Sequence, residues 1–185
     1  MTNESLPQNF LHYCPHCGSA DFAPAGGKQF RCGACGFSFF TNSAAAVAAL
    51  IVDEAGRLML TRRACEPWRG MLDLPGGFVD PDESAEEALR RELAEELGAQ
   101  VAEMRYFGSS HNRYVFSGYT VFTTDLAFVC RLAPGAALAA ADDVDSYVWL
   151  VPADIDLQTI GAPSIRSLVR QFAGAGLNRK TDPDR

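Results

Sequence analysis

The sequence predicts an α/β protein in which a small cysteine-bound ribbon precedes the main domain. Three observations lead to this prediction: paired cysteines near the start, apolar runs typical of strands on either side of a charged helix, and a hydrophobic content of 48% over 185 residues. A chain of this length can form one medium-sized domain with a small appendage. We therefore predict a ribbon over 1–40, a main domain over 41–175 and a mobile tail over 176–185.

The net charge of −7 limits the kinds of partner that the chain is expected to bind. A protein that binds nucleic acid or anionic membranes is expected to carry a basic face, and this balance argues against both. No apolar run is long enough to span a bilayer, and the first ten residues lack the charged-then-apolar form of a signal peptide. We expect a cytoplasmic protein that binds neither membranes nor nucleic acid.

Two Cys-x-x-Cys pairs, Cys14 with Cys17 and Cys32 with Cys35, are separated by fourteen residues. Two such knuckles at this spacing indicate a structural zinc site with four thiolate ligands. The alternatives are two disulfides, which require export, or a redox pair, which rarely occurs as a doubled motif. His16 lies within the first knuckle, but four thiolates already complete a tetrahedron.

The ribbon carries few charges. Lys28 and Arg31 are balanced by Glu4 and Asp21 over residues 1–40. A module that follows a phosphate backbone would be basic, so we expect this ribbon to be structural.

The main domain begins with apolar runs at strand spacing. The first strand is predicted at 44–53, its partner at 57–63, and a short third strand at 71–75. Arg62 and Arg63 end the second of these strands, and regular alternation places them on opposite faces. Further strands are predicted at 101–111, 119–132 and 147–151, with a loop at 109–118, and an amphipathic helix that begins with proline at 163–173.

The most informative stretch is the charged helix that follows Gly76 and Gly77. Ser84 and Glu87 have the spacing of a capping box, and Gly98 stands where a helix ends on a left-handed residue. Leucines recur every four residues and predict the buried stripe of this helix. The stripe consists of Leu89, Leu93 and Leu97.

Three glutamates, Glu92, Glu95 and Glu96, lie beside the leucine stripe at i, i+3 and i+4. One interpretation is a solvated face with surface ion pairs, for which Glu87 and Arg91 have a suitable spacing. The other is a site for hard divalent cations, which bind carboxylate oxygens and share them with substrate phosphates.

The whole pattern favours the second interpretation. Gly77, five residues, Glu83, seven residues and then the run from Arg91 to Ala99 resemble the Nudix box, with Ala99 in place of a bulkier apolar residue. This resemblance implies a Nudix α/β/α sandwich with a mixed sheet. It also implies an enzyme that uses Mg²⁺ or Mn²⁺ to hydrolyse the pyrophosphate of a nucleoside diphosphate linked to another moiety.

The resemblance also assigns roles by position. Glu92, Glu95 and Glu96 correspond to the metal-binding carboxylates, with the Gly77 carbonyl as a further ligand. Glu83 corresponds to the loop glutamate of the catalytic motif. Arg91 corresponds to the arginine that holds the motif together through an ion pair, and Arg63 to an arginine that often faces the substrate. The alternative for Arg63 is an ordinary surface charge.

The ribbon followed by a Nudix box resembles the NADH pyrophosphatase branch of the family. That branch carries a Ser-Gln-Pro-Trp-Pro-Phe-Pro-x-Ser signature, and residues 109–117 keep the two outer serines but lack the Gln, the Trp and every proline. In its place, His111, Asn112, Arg113 and Tyr114 form a polar and aromatic cluster suited to binding a nucleotide. We expect His111, Asn112 and Tyr114 to make the selective contacts. An ordinary polar hairpin loop is the alternative.

These motifs predict hydrolysis of an ADP-ribose-like or dinucleotide substrate. The alternatives are NADH pyrophosphatase activity, removal of a nucleotide cap from RNA, and a non-catalytic sensor of ADP-ribose-type ligands. Asp142 and Asp143 are candidates for an extra catalytic carboxylate, as in some Nudix enzymes, or for ordinary loop residues. The relatives lead us to expect a homodimer.

Overall fold

A computed structural model describes residues 3–135 and 137–175, so the tail predicted at 176–185 lies outside the described residues. The chain forms two compact units. The first contains the residues up to Ala44 together with Arg113–Thr123, and the second contains Ala45–Asn112 and the chain from Thr124 onward. Within the described residues, neither α-helix has the length and apolar character needed to cross a membrane.

The first unit is built on a three-stranded antiparallel sheet. Its strands are β1 (Phe22–Gly26), β2 (Gln29–Cys32) and β3 (Ser38–Phe40), in the order β1-β2-β3. Its buried core consists of four side chains, Cys14, Phe22, Phe30 and Cys32. A core this small buries little apolar area, so a bound metal would add stability that packing alone does not supply.

The second unit contains two three-stranded sheets and two helices, which confirms the predicted α/β class. One sheet has the order β4-β8-β7 and the other the order β6-β5-β9. Strands β7 and β8 are long and contribute residues to both units. The elements are β4 (Ala44–Ile51), β5 (Leu58–Arg63), β6 (Leu72–Asp73), α1 (Ala85–Leu97), β7 (Val101–Phe116), β8 (Tyr119–Leu132), β9 (Val144–Leu150) and α2 (Pro163–Gly174).

Strand β4 is buried on both faces. Val47, Ala49 and Ile51 belong to a core cluster with the leucine stripe of α1, while Ala48 and Leu50 belong to a second cluster with the apolar face of α2. Residues of alternating parity point to opposite sides of a strand, so an unbroken apolar run is needed when both sides are covered. The apolar composition of this segment follows from its central position.

The loop predicted at 109–118 is wrong, because β7 continues through this segment to Phe116. Only Ser117 and Gly118 separate β7 from β8, and both have positive φ, at 51° and 80°. Two residues of left-handed conformation make a tight hairpin turn whose twist matches the flanking strands. The polar composition suggested a loop, but pairing with β8 gives these residues a strand conformation.

Candidate active site

The Gly-Gly turn before α1 is fastened to strand β4. The Ala49 amide donates to the Pro75 carbonyl, and the Val47 amide donates to the Gly77 carbonyl, both at 2.8 Å. Gly76 has a φ of 137°, and a Cβ there would lie 2.2 Å from the Val47 carbonyl oxygen. Glycine is therefore required at this position by conformation and by space.

Helix α1 begins and ends where the sequence predicted. The Ser84 side chain accepts from the Glu87 amide, the Glu87 carboxylate accepts from the Ser84 amide, and Gly98 ends the helix at φ 63°. The predicted leucine stripe is fully buried. Because these caps and this stripe fix the rotation of the helix, its three glutamates are directed to one side, beside the Gly-Gly turn.

Glu96 is the most buried acidic side chain of α1, at 6% exposure. Its Oε2 accepts a hydrogen bond of 2.9 Å from the Gly76 amide. Burial raises the pKa of Glu96 to about 8, and the nearby charges of Glu92, Asp73 and Asp143 act in the same direction. The fold thus holds a carboxylate whose negative charge is poorly compensated by the protein.

Glu92 packs directly on the backbone of Gly77. A Cβ at Gly77 would lie 2.4 Å from Glu92 Oε1, so this carboxylate occupies the space that only glycine leaves open. Burial raises the pKa of Glu92, the Arg91 guanidinium opposes that rise, and the charges of Glu95 and Asp142 add to it. The Gly77 carbonyl already accepts from the Val47 amide, so its role as a metal ligand stays a prediction.

Arg91 is the internal cation of the motif. Its guanidinium contacts Glu83 at 3.0 Å, Glu92 at 2.8 Å and Glu95 at 3.1 Å. It also donates to the Phe78 carbonyl at 3.0 Å. The predicted ion pair that ties the motif together is therefore present, and it lowers the pKa of Glu83. The surface partner considered for Arg91, Glu87, is engaged in the capping box instead.

The donor chemistry of this group suits a divalent cation, although among the described residues only the four cysteines are gathered closely enough to hold a metal ion as they stand. The donors are carboxylate oxygens, which Mg²⁺ and Mn²⁺ prefer, and Glu92 and Glu96 are both held partly or fully out of water. Glu95 is half exposed, so one side of the group remains open to a substrate and to solvent. Metal binding by these side chains stays a prediction, supported by the uncompensated charge around Glu96.

The acidic loop before β9 lies beside the same group. The Ala141 amide donates to the Glu96 carbonyl at 2.9 Å, and Asp142 and Asp143 contribute to the raised pKa values of Glu92 and Glu96 respectively. Both aspartates are exposed. The structure therefore brings these two candidates close to the box carboxylates, from a part of the chain more than forty residues away in sequence.

The partly exposed Arg63 side chain is held in place by contacts within the protein. Its Nη1 pairs with Asp73 Oδ2 at 2.9 Å, and its Nε donates to the Pro67 carbonyl at 2.8 Å. These contacts give Arg63 a structural role, and its predicted contact with substrate stays a prediction. Asp73 was missed at the sequence level. The sequence did contain a sign of its role. Asp73 is a lone carboxylate within an apolar strand, and a carboxylate is seldom buried without a partner.

The predicted cluster of His111, Asn112 and Tyr114 lies on strand β7 and not on a loop. His111 is exposed whereas Asn112 is 9% exposed, as expected for neighbours on opposite faces of a strand. Tyr114 stacks on Phe116 at 6.0 Å between ring centroids. The strand does not present all three side chains on one face, so their joint role in binding a nucleotide stays a prediction.

The four cysteines of the first unit converge. Their Sγ atoms all lie within 4.8 Å of one another, with Cys14–Cys35 and Cys17–Cys32 separations of 3.7 Å. Tetrahedral zinc with Zn–S bonds of about 2.3 Å requires sulfur–sulfur edges of about 3.8 Å. The cluster has the size of a zinc–thiolate site. His16 stacks on Phe37 and so has a packing contact of its own.

The sequence of this chain is similar to those of known proteins. Residues 42–172 match the family model of the NUDIX domain. The NAD-capped RNA hydrolase NudC of Chromobacterium violaceum is 31% identical over 152 residues, which cover 80% of this chain and 53% of that protein. The chain thus spans about half the length of this relative.

Solved structures share the fold. A NUDIX hydrolase from Nitrosomonas europaea superposes with a TM-score of 0.66 at 20% identity and covers 89% of this chain and 91% of its own. The NUDIX domain of Shewanella oneidensis NrtR complexed with ADP ribose has a TM-score of 0.59 at 23% identity and covers 74% of this chain and 90% of its own.

Proposed function

The chain belongs to the NUDIX domain family, and on that premise we propose that it hydrolyses the pyrophosphate bond of a nucleoside diphosphate linked to another moiety. Water adds to one phosphorus, the bond to the bridging oxygen breaks, and two phosphate monoesters leave. The proposed cofactors are Mg²⁺ or Mn²⁺ at the box and structural zinc in the ribbon.

The observation that carries this proposal is the packing of Glu92 and Glu96 against the Gly-Gly turn. One carboxylate lies on Gly77 and the other accepts from the Gly76 amide at 2.9 Å. Two carboxylates held largely out of water, of which Glu92 has the Arg91 guanidinium as a partner and Glu96 has a backbone amide, are unfavourable in a purely structural role. They are expected where a site must hold cations that in turn bind phosphates.

When bound, a divalent cation neutralises phosphate charge and lowers the pKa of water that it ligates. The residues of this chain supply the orientation. The Gly76 amide fixes one oxygen of Glu96, and the backbone of Gly77 limits where Glu92 can lie. Arg91 holds Glu83, Glu92 and Glu95 in one network.

A general base is also needed, and the acidic loop offers candidates. Asp142 and Asp143 are exposed, and their charges influence Glu92 and Glu96. An exposed carboxylate near a reacting water can accept its proton, provided that it lies within hydrogen-bonding reach. We assign this step to Asp142 or Asp143.

Within this reaction class, we propose an ADP-ribose-like substrate. Support comes from the NrtR domain, which is complexed with ADP ribose, and from the absent Trp and prolines of the NADH pyrophosphatase signature. Hydrolysis of an NAD-type dinucleotide is the second candidate, because the similar protein from Chromobacterium violaceum is an NAD-capped RNA hydrolase.

The test measures kcat/KM for ADP-ribose and for NADH with Mg²⁺ in the wild type, Glu96→Gln and Glu86→Gln. Glu96→Gln keeps the shape of the side chain and removes its charge, so we expect kcat to fall by about a thousandfold, or about 4 kcal/mol. Glu86 is an exposed acid on the same helix, and its variant should keep wild-type rates.

Two outcomes would contradict the proposal. If Glu96→Gln hydrolyses the substrate at the wild-type rate, the assignment of the box carboxylates as metal ligands is wrong. A wild-type preference for NADH of about a hundredfold or more, about 2.7 kcal/mol, would replace the ADP-ribose-like substrate with the second candidate.

A further inference from the structure

A cavity of about 220 Å³ opens where strand β5 ends, and three arginines are among the residues that line it. The cavity is therefore a region of positive charge in a chain whose net charge is −7. Only one acidic side chain belongs to the lining. The lining residues are Arg62, Arg63, Ala64, Arg69, Gly70 and Asp145.

An irregularity in strand pairing lies beside this cavity. Arg62 lies opposite Ser146, but Arg63 lies opposite Val144, so Asp145 is an extra residue on β9. The bulge is on β9, and it leaves Asp145 outside the regular pairing. Arg62 and Arg63 both belong to the lining because the cavity lies at the end of β5, although regular alternation directs consecutive side chains to opposite faces.

Two of the arginines are held in place. Arg62 Nη1 donates to the carbonyl of Gly70, which has a φ of 80°. Arg63 pairs with the buried Asp73, which balances its charge. The unbalanced charge of the cavity therefore comes from Arg62 and the exposed Arg69, against the single carboxylate of Asp145.

The acidic loop before β9 connects the cavity to helix α1. The Ala64 amide, in the cavity lining, donates to the Asp143 carbonyl at 2.8 Å. In the same loop, the Ala141 amide donates to the Glu96 carbonyl at 2.9 Å. Two backbone hydrogen bonds of one short segment thus link the cavity lining to the helix that carries the box carboxylates.

We propose that this cavity binds a phosphate monoester of the substrate that lies outside the scissile pyrophosphate. The ligand class is a nucleotide phosphorylated on a sugar, such as ADP-ribose with a 2′-phosphate. Guanidinium groups bind phosphate oxygens through paired, charge-assisted hydrogen bonds, and a monoester dianion gains the most from them. An RNA chain would need a longer basic track. This inference rests on the proposed pyrophosphohydrolase function.

The experiment compares ADP-ribose with its 2′-phosphorylated form in the wild type, Arg69→Ala and Arg170→Ala. Arg170 is an exposed arginine of α2 and serves as the matched control for loss of one positive charge. We expect the wild type to favour the phosphorylated compound in kcat/KM by about tenfold or more, the effect of a hydrogen bond to a charged group. Arg69→Ala should bring that ratio close to one without changing kcat/KM for ADP-ribose itself, and Arg170→Ala should keep the wild-type ratio.

A binding measurement separates this inference from the proposed reaction. Adenosine 2′,5′-bisphosphate and AMP are titrated by calorimetry without turnover, and the bisphosphate should bind more tightly to the wild type but not to Arg69→Ala. If neither ADP-ribose compound is hydrolysed while this difference is seen, the proposed reaction fails and the phosphate site stands.

Three results would overturn the inference while leaving the hydrolase proposal intact. The first is equal kcat/KM for the two compounds in the wild type. The second is a preference that persists in Arg69→Ala. The third is an Arg69-dependent preference for a capped RNA oligonucleotide over both small compounds.

Discussion

The cysteine cluster of the first unit and the carboxylate group of the second are two candidate metal sites of opposite design. The four Sγ atoms lie within 4.8 Å of one another, with two separations of 3.7 Å, close to the dimensions of a zinc tetrahedron. The glutamates of α1 are instead held by the protein itself, through the Gly76 amide and the guanidinium of Arg91.

This is the difference expected between a structural metal site and a catalytic one. A structural site is closed, because all ligands come from the chain and the metal contributes folding free energy. A catalytic site must exchange ligands with water and substrate, so it keeps an open side and needs stability without its metal. Arg91 provides that stability, and the half-exposed Glu95 lies on the open side.

The largest effect is expected from the cysteine cluster. Cys17→Ser removes one thiolate, so zinc should be lost and the first unit should unfold at a lower temperature, since structural zinc contributes roughly 10 kcal/mol of binding free energy. Zinc content by mass spectrometry and melting by circular dichroism measure this. The control is Cys65→Ser, which changes a cysteine outside the cluster. Complete zinc loss with an unchanged melting temperature would show that the metal is not structural.

An intermediate effect is expected from pH, because Glu96 has a pKa of about 8 in the folded protein without divalent cation. In the unfolded chain this carboxyl loses its proton near its ordinary pKa of about 4.3. Between these values the folded state holds more protons, so its stability falls as pH rises. Without added Mg²⁺, the wild type should lose roughly 2–4 kcal/mol more than Glu96→Gln between pH 5 and pH 9.

Urea unfolding at a series of pH values, with zinc retained and no added Mg²⁺, gives this difference. Glu96→Gln should be the more stable protein at pH 9, and the two should converge near pH 4. If the free energy of unfolding changes with pH in the same way in both proteins, the pKa of Glu96 is not raised in the folded state.

The smallest effect is expected from Gly77→Ala. The new methyl group would meet Glu92 Oε1 at 2.4 Å and displace that carboxylate, while the fold is kept. When the groups that orient a metal ligand are altered and the ligand is displaced, metal affinity typically falls about 10- to 100-fold. Mn²⁺ titration followed by electron paramagnetic resonance measures it. Gly108→Ala is the control, because no atom lies within 4 Å of its added methyl group. Equal Mn²⁺ affinity in both variants would exclude Glu92 as a ligand.

Helix α1 illustrates what could be predicted from sequence. Its capping box, its leucine stripe and its terminal glycine depend on residues three or four positions apart, and all of them are present as predicted. The ion pair of Arg91 with Glu83 also spans only eight residues. Interactions at short range leave their spacing in the sequence, where it can be recognised.

The hairpin at 109–118 shows where such reasoning fails. Composition favoured a loop, but the segment pairs with a strand that follows it and becomes part of β7. The backbone hydrogen bonds of a strand depend on its partner, so strand propensity is decided by context more than by the local residues. The predicted nucleotide cluster was consequently distributed over two faces of β7.

The sequence by itself determined the paired cysteine knuckles, the charged helix and the family of the main domain, because each depends on fixed local spacing. Only the tertiary structure decided the burial of Glu96, the pairing of Arg63 with Asp73 and the approach of Asp143 to the box. It alone showed that Arg62 and Arg63 line one cavity at the end of β5, beside a bulge in β9. Burial and electrostatic coupling depend on which segments pack together, and that information is held in no single stretch of the chain.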